Sequence, residues 1–342
     1  MPRPALLLAA LLLLVPTAIW MSSPAFSDGQ SDAFSDIDTE FDAVADETRG
    51  RSGSGSGWRA QPLPFPATLT REQPLRRDVG ALSVYALSAE TVVQWWLPGK
   101  LNEVSGVAVV DDRIYVHTDE KGIIYRFDPE SGEIAAKLKI GGKAERGDFE
   151  GIAHLGDAFY LVTSDGFLYR AAVAPDVADG DAPRIVGVQV LDLGLAQVCE
   201  IEGLAAVAGA LLIACKEVWD RNGALLPEFT VWKWTEGDAI LSLYCAVPHS
   251  AAQIHTGKER FNPSGIAVLG DQLILPSARQ RHLLMLDRTP ERGECAVIGA
   301  RKLKKKRHPQ AEGIGFLSDG ALVLADEGGD GKALMSLYQR GP

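Results

Sequence analysis

The sequence predicts an all-β fold, a five-bladed β-propeller of four-stranded antiparallel blades closed by an N-terminal strand. Three observations predict it. A phrase of polar residue, Gly, aliphatic residue and small residue returns five times: Ser105-Gly106-Val107-Ala108, Glu150-Gly151-Ile152-Ala153, Glu202-Gly203-Leu204-Ala205, Ser264-Gly265-Ile266-Ala267 and Glu312-Gly313-Ile314-Gly315. A fixed phrase at long period marks a repeat architecture. Each phrase is followed by alternating apolar runs separated by turn residues. The fifth repeat ends one strand short, and a matching strand stands upstream of the first.

Each repeat opens as a hairpin. In the first copy, Val107 to Val110 leads to a turn at Asp111-Asp112 and a second run from Arg113 to Val116. The other turns are Gly156-Asp157, Gly209, Gly270-Asp271 and Asp319-Gly320. Gly and Asp tolerate the positive φ of tight hairpins. Third strands are expected at Ile123 to Phe127, Phe167 to Val173, Phe229 to Trp234, His282 to Leu286 and Ala333 to Tyr338. Fourth strands are expected at Ile134 to Ile140, Ile185 to Leu193, Ala239 to Val247 and Cys295 to Gly299, with Thr91 to Leu97 completing the last blade. No amphipathic helix is expected between them, and closure hides the sheet edges.

The chain has 342 residues, and the repeats span about 81 to 342. Residues 1–25 form a signal peptide or membrane anchor: Arg3 precedes an apolar run from Ala5 to Trp20, and Ser23-Pro24-Ala25 resembles a cleavage site. The run is slightly short for the ~20 residues that span a bilayer. No Cys follows it, which argues against a lipoprotein anchor. Residues 26–80 are an acidic linker ending in a Gly/Ser-rich stretch, Arg51 to Gly57, expected to be disordered. The chain is therefore expected to be periplasmic, extracellular or tethered to the cell membrane, and a monomer.

A net charge of −11 argues against nucleic-acid binding. The basic run Arg301 to Arg307 stands out; it reads as a solvated outer strand and loop, with contact to anionic lipid or a polyanion as the sharper reading. In an exported chain four cysteines can form disulfides. Cys199 and Cys215 flank one hairpin and are the best pair. Cys245 and Cys295 fall in outer strands of successive blades, normally well separated, and are expected reduced or buried.

The polar residues before the glycines carry the candidate chemistry. Inner strands line the channel, so Glu150, Glu202 and Glu312 should converge on its axis, with Glu103, Ser105, Asn262 and Ser264 in the equivalent stretches of the other blades. Converging carboxylates repel one another unless a counter-charge is present. An all-oxygen set without Cys or His suits calcium. The alternative is that each Glu caps backbone N–H groups or pairs with Lys216 or Arg279.

A second set lies thirteen and fourteen residues after each Gly: Asp119-Glu120, Ser164-Asp165, Lys216-Glu217, Ala278-Arg279 and Asp326-Glu327. These should ring the same mouth, as a ligand site or as solvated turns. His117 could face the channel, though a core histidine is the simpler reading. Trp95, Trp96, Trp232 and Trp234 read as interblade packing. The run Asp176 to Asp181 lacks EF-hand spacing and reads as a long loop. No nucleophile elbow, phosphate loop or His-Glu-x-x-His is present.

Together the ordered stretches "NEVSGVAVVDDRIYVHTDEKGIIYRFDPESGEI", "DFEGIA", "EIEGLA", "NPSGIAV" and "PQAEGIGFLSDGALVLADE" resemble the bacterial SdiA-regulated (YjiK-like) family. That resemblance implies a five-bladed propeller distantly similar to NHL-repeat proteins, behind an export or membrane segment. It also implies a bound calcium ion, carried here to Glu103, Glu150, Glu202 and Glu312. Two features depart from it: basic Lys216 and Arg279 at the rim, and an insertion from Val218 to Glu228.

Three functions follow. The first is a calcium-binding ligand or interaction module of the cell envelope, with an unknown ligand or envelope protein as partner. The second is a calcium-dependent hydrolase (lactonase, esterase or phosphoesterase), of the kind seen in six-bladed gluconolactonase-like propellers. Its base would be Asp119, Glu217 or Asp326, with Lys216 and Arg279 as contacts to a phosphate. The third is a scaffold with no ion.

Overall fold

The computed structural model describes residues 81–87, 92–174, 184–237, 241–290 and 293–341. The leader, the linker and the loop from Asp176 to Asp181 lie outside them. Among the described residues no helix is long and apolar enough to cross a membrane.

Strand β1 (Val93–Trp96) is the first strand among the described residues. Blade 1 is β2 (Val104–Val110), β3 (Arg113–Thr118), β4 (Ile123–Asp128) and β5 (Glu133–Lys139). Blade 2 is β6 (Phe149–Leu155), β7 (Ala158–Thr163), β8 (Phe167–Val173) and β9 (Ile185–Asp192). Blade 3 is β10 (Cys199–Val207), β11 (Ala210–Val218), β12 (Glu228–Thr235) and β13 (Ser242–Pro248). Blade 4 is β14 (Ala267–Leu269), β15 (Gln272–Ser277), β16 (His282–Asp287) and β17 (Val297–Lys302). Blade 5 is β18 (Ala311–Phe316), β19 (Leu322–Asp326) and β20 (Leu334–Tyr338), with β1 as its outer strand. Every sheet has four strands, paired antiparallel in simple order. The chain is the expected five-bladed propeller, closed by the expected strand.

Sequence chemistry explains the turns. Asp111 and Asp112 both take positive φ, 48° and 59°, as a two-residue hairpin requires. The core is divided into five apolar wedges, one between each pair of neighbouring blades. Trp234 fills the wedge between blades 2 and 3, and Trp95 the one between blades 5 and 1. Trp96 departs from the packing expected of it. It follows Trp95 on an alternating strand and so points outward, 56% exposed.

Between blades 4 and 5 the wedge is completed by Leu82, Tyr85 and Leu87, upstream of β1. Tyr85 Oη donates to the Gly320 carbonyl at 2.5 Å, and Gly341 N–H donates to the Val84 carbonyl at 2.9 Å. The basic run contributes to this latch. Arg301 donates to the Leu82 and Tyr85 carbonyls, and Arg307 to that of Leu87.

Two expectations are corrected. A short helix, α1 (His249–Thr256), follows β13, starting after Pro248 and ending at Gly257 with φ 67°. Its Pro-before and Gly-after boundaries were a legible stop and start signal. Second, Cys245 and Cys295 are bonded to each other, as are Cys199 and Cys215. Outer strands of adjacent blades normally diverge. Here the segment before β17 leaves blade 4 and lies alongside β13, with an Ala246–Glu294 bridge and a 3.0 Å hydrogen bond from Ala246 N–H to the Gly293 carbonyl. That contact also moves the fourth strand of blade 4 from its expected start at Cys295 to Val297.

Candidate functional site: the acidic mouth of the channel

The repeat glycines meet around the axis. A Cβ on Gly151 would lie 2.6 Å from the Leu204 nitrogen, and one on Gly203 would lie 2.8 Å from the Gly265 Cα. A Cβ on Gly265 would strike the Glu312 carbonyl, and one on Gly313 would lie 3.1 Å from the Gly106 carbonyl carbon. At these four blade boundaries the inner strands therefore approach backbone to backbone, which only Gly permits, whereas Gly106 faces the side chains of His117 and Ile152.

The residue before each Gly is set by a second device. The pairing of β2 with β3 skips Ser105, between Val104 and Gly106. The same irregularity falls at Glu150, Glu202 and Glu312. A β-bulge adds an unpaired residue and re-aims its side chain. So the polar position of the phrase is a bulge position, and in blades 2, 3 and 5 it carries a glutamate.

These glutamates face a shared electrostatic problem. Burial first, then Glu202, Asp148 and Glu312, push Glu150 from an ordinary 4.5 to about 9, against the hydrogen bond Ser105 Oγ donates to it at 3.1 Å. Burial, then Glu202 and Glu327, raise Glu312 well above the usual carboxylate range. Lys216 Nζ pairs with Glu202 and, at 3.0 Å, with Glu200. Glu202 nevertheless rises to about 7, because burial outweighs that pairing. The Lys216–Glu202 pair is the one the sequence offered as the alternative to an ion.

Glu103 lies elsewhere. It is exposed, and its carbonyl accepts from Asp119 N–H at 3.3 Å. Asp119 is half-buried, with Oδ1 shielded from solvent and without a hydrogen-bond partner. Burial and then Glu103 raise its pKa. Glu327 is raised by burial and then by Asp119 and Glu103. The mouth thus holds two acidic groups: Glu150, Glu202 and Glu312 at the bulges, and Glu103, Asp119 and Glu327 between blades 1 and 5.

Two candidate bases are diverted. Asp326 is fully buried: Oδ2 meets His308 Nδ1 at 2.8 Å, Oδ1 accepts from Gln310 N–H, and His308 Nε2 meets Tyr338 Oη at 2.6 Å. It does not stand at the mouth. Glu217 faces Arg260 at 3.9 Å. Asp165 accepts from Thr163 Oγ1, and Glu120 pairs with Lys121 at 3.8 Å. His117 is buried under Gly106 rather than in the channel, with Nδ1 on the Thr118 carbonyl; burial lowers it to about 4.

The sequence reading missed a cavity of about 430 Å³ beside blade 4, lined by Lys258, Glu259, Arg260, Asn262, Arg279 and Gln280. Asn262 was legible as lying two residues before Ser264, the polar position of the phrase in blade 4, but the cations from the segment after α1 were not.

As the side chains stand, no three His, Cys, Asp or Glu residues are drawn together as a ready metal-ligand group among the described residues. Donor chemistry still fits a hard cation. The glutamates, Ser105 and Ser264 supply oxygen alone, and Lys216 is the cation that offsets the charge of Glu202 and Glu312 among the described residues. A cation would have to draw Glu150, Glu202 and Glu312 inward and displace Lys216.

No protein-family model matches the chain, and no curated protein matches it. Similar solved structures include a glutaminyl cyclase from Myxococcus xanthus, at 16% identity and TM-score 0.46, covering 70% of this chain and 92% of that one. A PQQ-bound aldose sugar dehydrogenase from Streptomyces coelicolor matches at 12% and 0.43, covering 73% and 99%. A gluconolactonase from Xanthomonas campestris matches at 11% and 0.41, covering 83% and 99%. Likeness at this level assigns no activity. The molecule is a five-bladed propeller whose architecture is compatible with a ligand-binding or enzymatic module.

Proposed function

We propose that the channel mouth is the working site, that it takes a divalent cation of the calcium kind, and that the protein is a calcium-dependent hydrolase of the cell envelope. Its substrate class would be a small lactone, ester or phosphomonoester. The observation that carries this reading is that the bulges of blades 2, 3 and 5 set Glu150, Glu202 and Glu312 close enough to act on one another at one mouth, with Asp119 under-partnered nearby.

In this reading Glu150, Glu202 and Glu312 would hold the cation, which when bound would supply Lewis acidity toward a carbonyl or phosphoryl oxygen. Asp119 takes the proton from the attacking water, its basicity raised by burial and by Glu103. Glu103 therefore serves as a neighbour of the base, outside the cation's bulge ligands. Lys216, held charged against burial by Glu202 and Glu200, neutralises the site until the cation arrives. The two disulfides support an oxidising compartment, as the leader pattern does. The closed ring leaves only the short outer strand of each blade as an edge, which supports a monomer.

The test is a panel of lactones, aryl esters and phosphomonoesters assayed with added calcium, alongside thermal melts. Turnover of one class, lost in Asp119→Asn while calcium stabilisation persists, supports the hydrolase. Calcium stabilisation lost in Glu150→Gln locates the ion. Calcium binding without turnover of any member transfers the site to a non-catalytic module that holds a ligand or an envelope protein, the reading the export tether favours. No calcium effect at all leaves the scaffold.

A further inference from the structure

The five blades present equivalent positions at the mouth, and blade 4 breaks their charge pattern. Blade 1 contributes Glu103, Asp119 and Glu120; blade 2, Asp148, Glu150 and Asp165. Blade 3 contributes Glu200, Glu202 and Glu217 beside Lys216; blade 5 contributes Glu312 and Glu327, its Asp326 being turned into the interior. At the same positions blade 4 has Asn262, Ser264, Ala278 and Arg279, with no carboxylate. The cavity of about 430 Å³ opens at this sector.

Three cations line it, Lys258, Arg260 and Arg279, against a single carboxylate, Glu259. Arg260 is under-used: its Nη2 is shielded from solvent with no hydrogen-bond partner, and Glu217 at 3.9 Å is beyond hydrogen-bond distance. The neutral wall is fixed in place. Gln280 Oε1 accepts from Asn262 N–H at 3.0 Å and from Ser277 Oγ, while Gln280 Nε2 donates to Asn262 Oδ1 at 3.1 Å. That occupies the Asn262 acceptor and leaves its amide N–H groups as donors. Asn262 itself is only 4% exposed. A pre-set amide donor and guanidinium groups with unspent capacity are the components of an oxyanion site. The volume suits a small molecule.

We propose that this blade-4 cavity is an anion subsite that receives the carboxylate or phosphate group of a small-molecule ligand. The rest of that ligand lies toward the axis, where the acidic blades would repel the anionic end. Charge separation across the mouth thereby fixes the direction in which the ligand enters. The inference deepens the proposed function by making the substrate anionic, yet the subsite requires neither the axial cation nor turnover.

Inorganic phosphate and succinate are titrated separately into the full chain by calorimetry, in EDTA and at fixed ionic strength. At least one is expected to bind in the millimolar range or tighter. Arg260→Gln and Arg279→Gln should each weaken binding roughly tenfold, as loss of a charge-assisted contact does. Lys306→Gln, on the exposed basic run, should leave it unchanged. Phosphate binding alone assigns a phosphoryl group and succinate binding alone a carboxylate. Absence of binding by both overturns the subsite, as does equal weakening by Lys306→Gln. Arg279 is an exposed side chain, so its variant keeps the test decisive if Arg260→Gln perturbs the fold. Anion binding that survives in a protein without calcium-dependent turnover would sink the hydrolase alone; turnover of neutral lactones with no anion binding would sink the subsite alone.

Discussion

Gly203 and Gly265 touch across the boundary between blades 3 and 4, and a Cβ on Gly203 would come within 2.8 Å of the Gly265 Cα. The obstacle is backbone, which cannot swing aside as a side chain can. Gly203→Ala should therefore destabilise the protein by about 1–3 kcal/mol, the usual cost of overpacking. Gly187 on outer strand β9 has nothing within 4 Å of its Cβ position, so Gly187→Ala should be near neutral. Urea unfolding of the two variants checks this; equal midpoints would show that the ring relaxes freely.

How much of this was legible differs by feature. The glycine, the hairpin turns and the blade order were readable because they repeat, and repetition converts a weak local signal into a register. The bulges were not readable. Nothing in Glu150 or Ser105 announces that the pairing skips it, so convergence on the axis could be inferred but its mechanism could not. Asp326 misled because its offset from Gly313 matches that of Asp119 from Gly106, while its partner His308 comes from the connection before β18. The Cys245–Cys295 bond was missed for a related reason. It depends on an excursion of residues 293–295 out of their own blade, a tertiary event without local sequence signature.

That bond ties blade 3 to blade 4 beside the cavity. Because it joins residues 50 apart, it restricts the unfolded chain more than the Cys199–Cys215 bond, whose partners are 16 apart. Cys295→Ser should cost about 2–4 kcal/mol, and more than Cys215→Ser if loop entropy dominates. Non-reducing peptide mapping establishes the pairs, and thermal melts of both variants rank them. Recovery of a free Cys245 from the oxidised wild-type protein would refute the bond.

The Asp326–His308–Tyr338 chain is expected to be structural. Asp326→Ala would leave His308 and the Gln310 N–H unsatisfied in a site with no exposure. Breaking a buried pair of this kind costs about 3–5 kcal/mol. The expected result is a large loss of urea stability with anion and calcium affinities unchanged in the fraction that folds. A stable variant with lost activity would instead return Asp326 to the catalytic role considered for it from sequence.

The bulge glutamates make a prediction about pH whose sign depends on calcium. Glu150 is raised from 4.5 to about 9 and Glu202 from 4.5 to about 7 in the folded protein. A folded-state pKa above the unfolded one means that the native state holds the extra proton. The resulting stability is complete below about 4.5 and is lost as pH rises, through about 7 for Glu202 and about 9 for Glu150. Metal-free protein should therefore lose stability between pH 5 and 9, at up to ~1.4 kcal/mol per pH unit for one such group. Calcium competes with those protons, so its stabilising effect should grow over the same range. Lys216→Gln should strengthen calcium binding, since it removes the positive charge that pairs with Glu202 and Glu200. Glu150→Gln should flatten the metal-free profile and abolish the calcium increment together. Thermal melts across pH, with EDTA or with calcium, measure all of these. Metal-free stability that rises from pH 5 to 9, or a calcium increment larger at pH 5 than at pH 8, would show that the three glutamates are not the groups that set the mouth's charge.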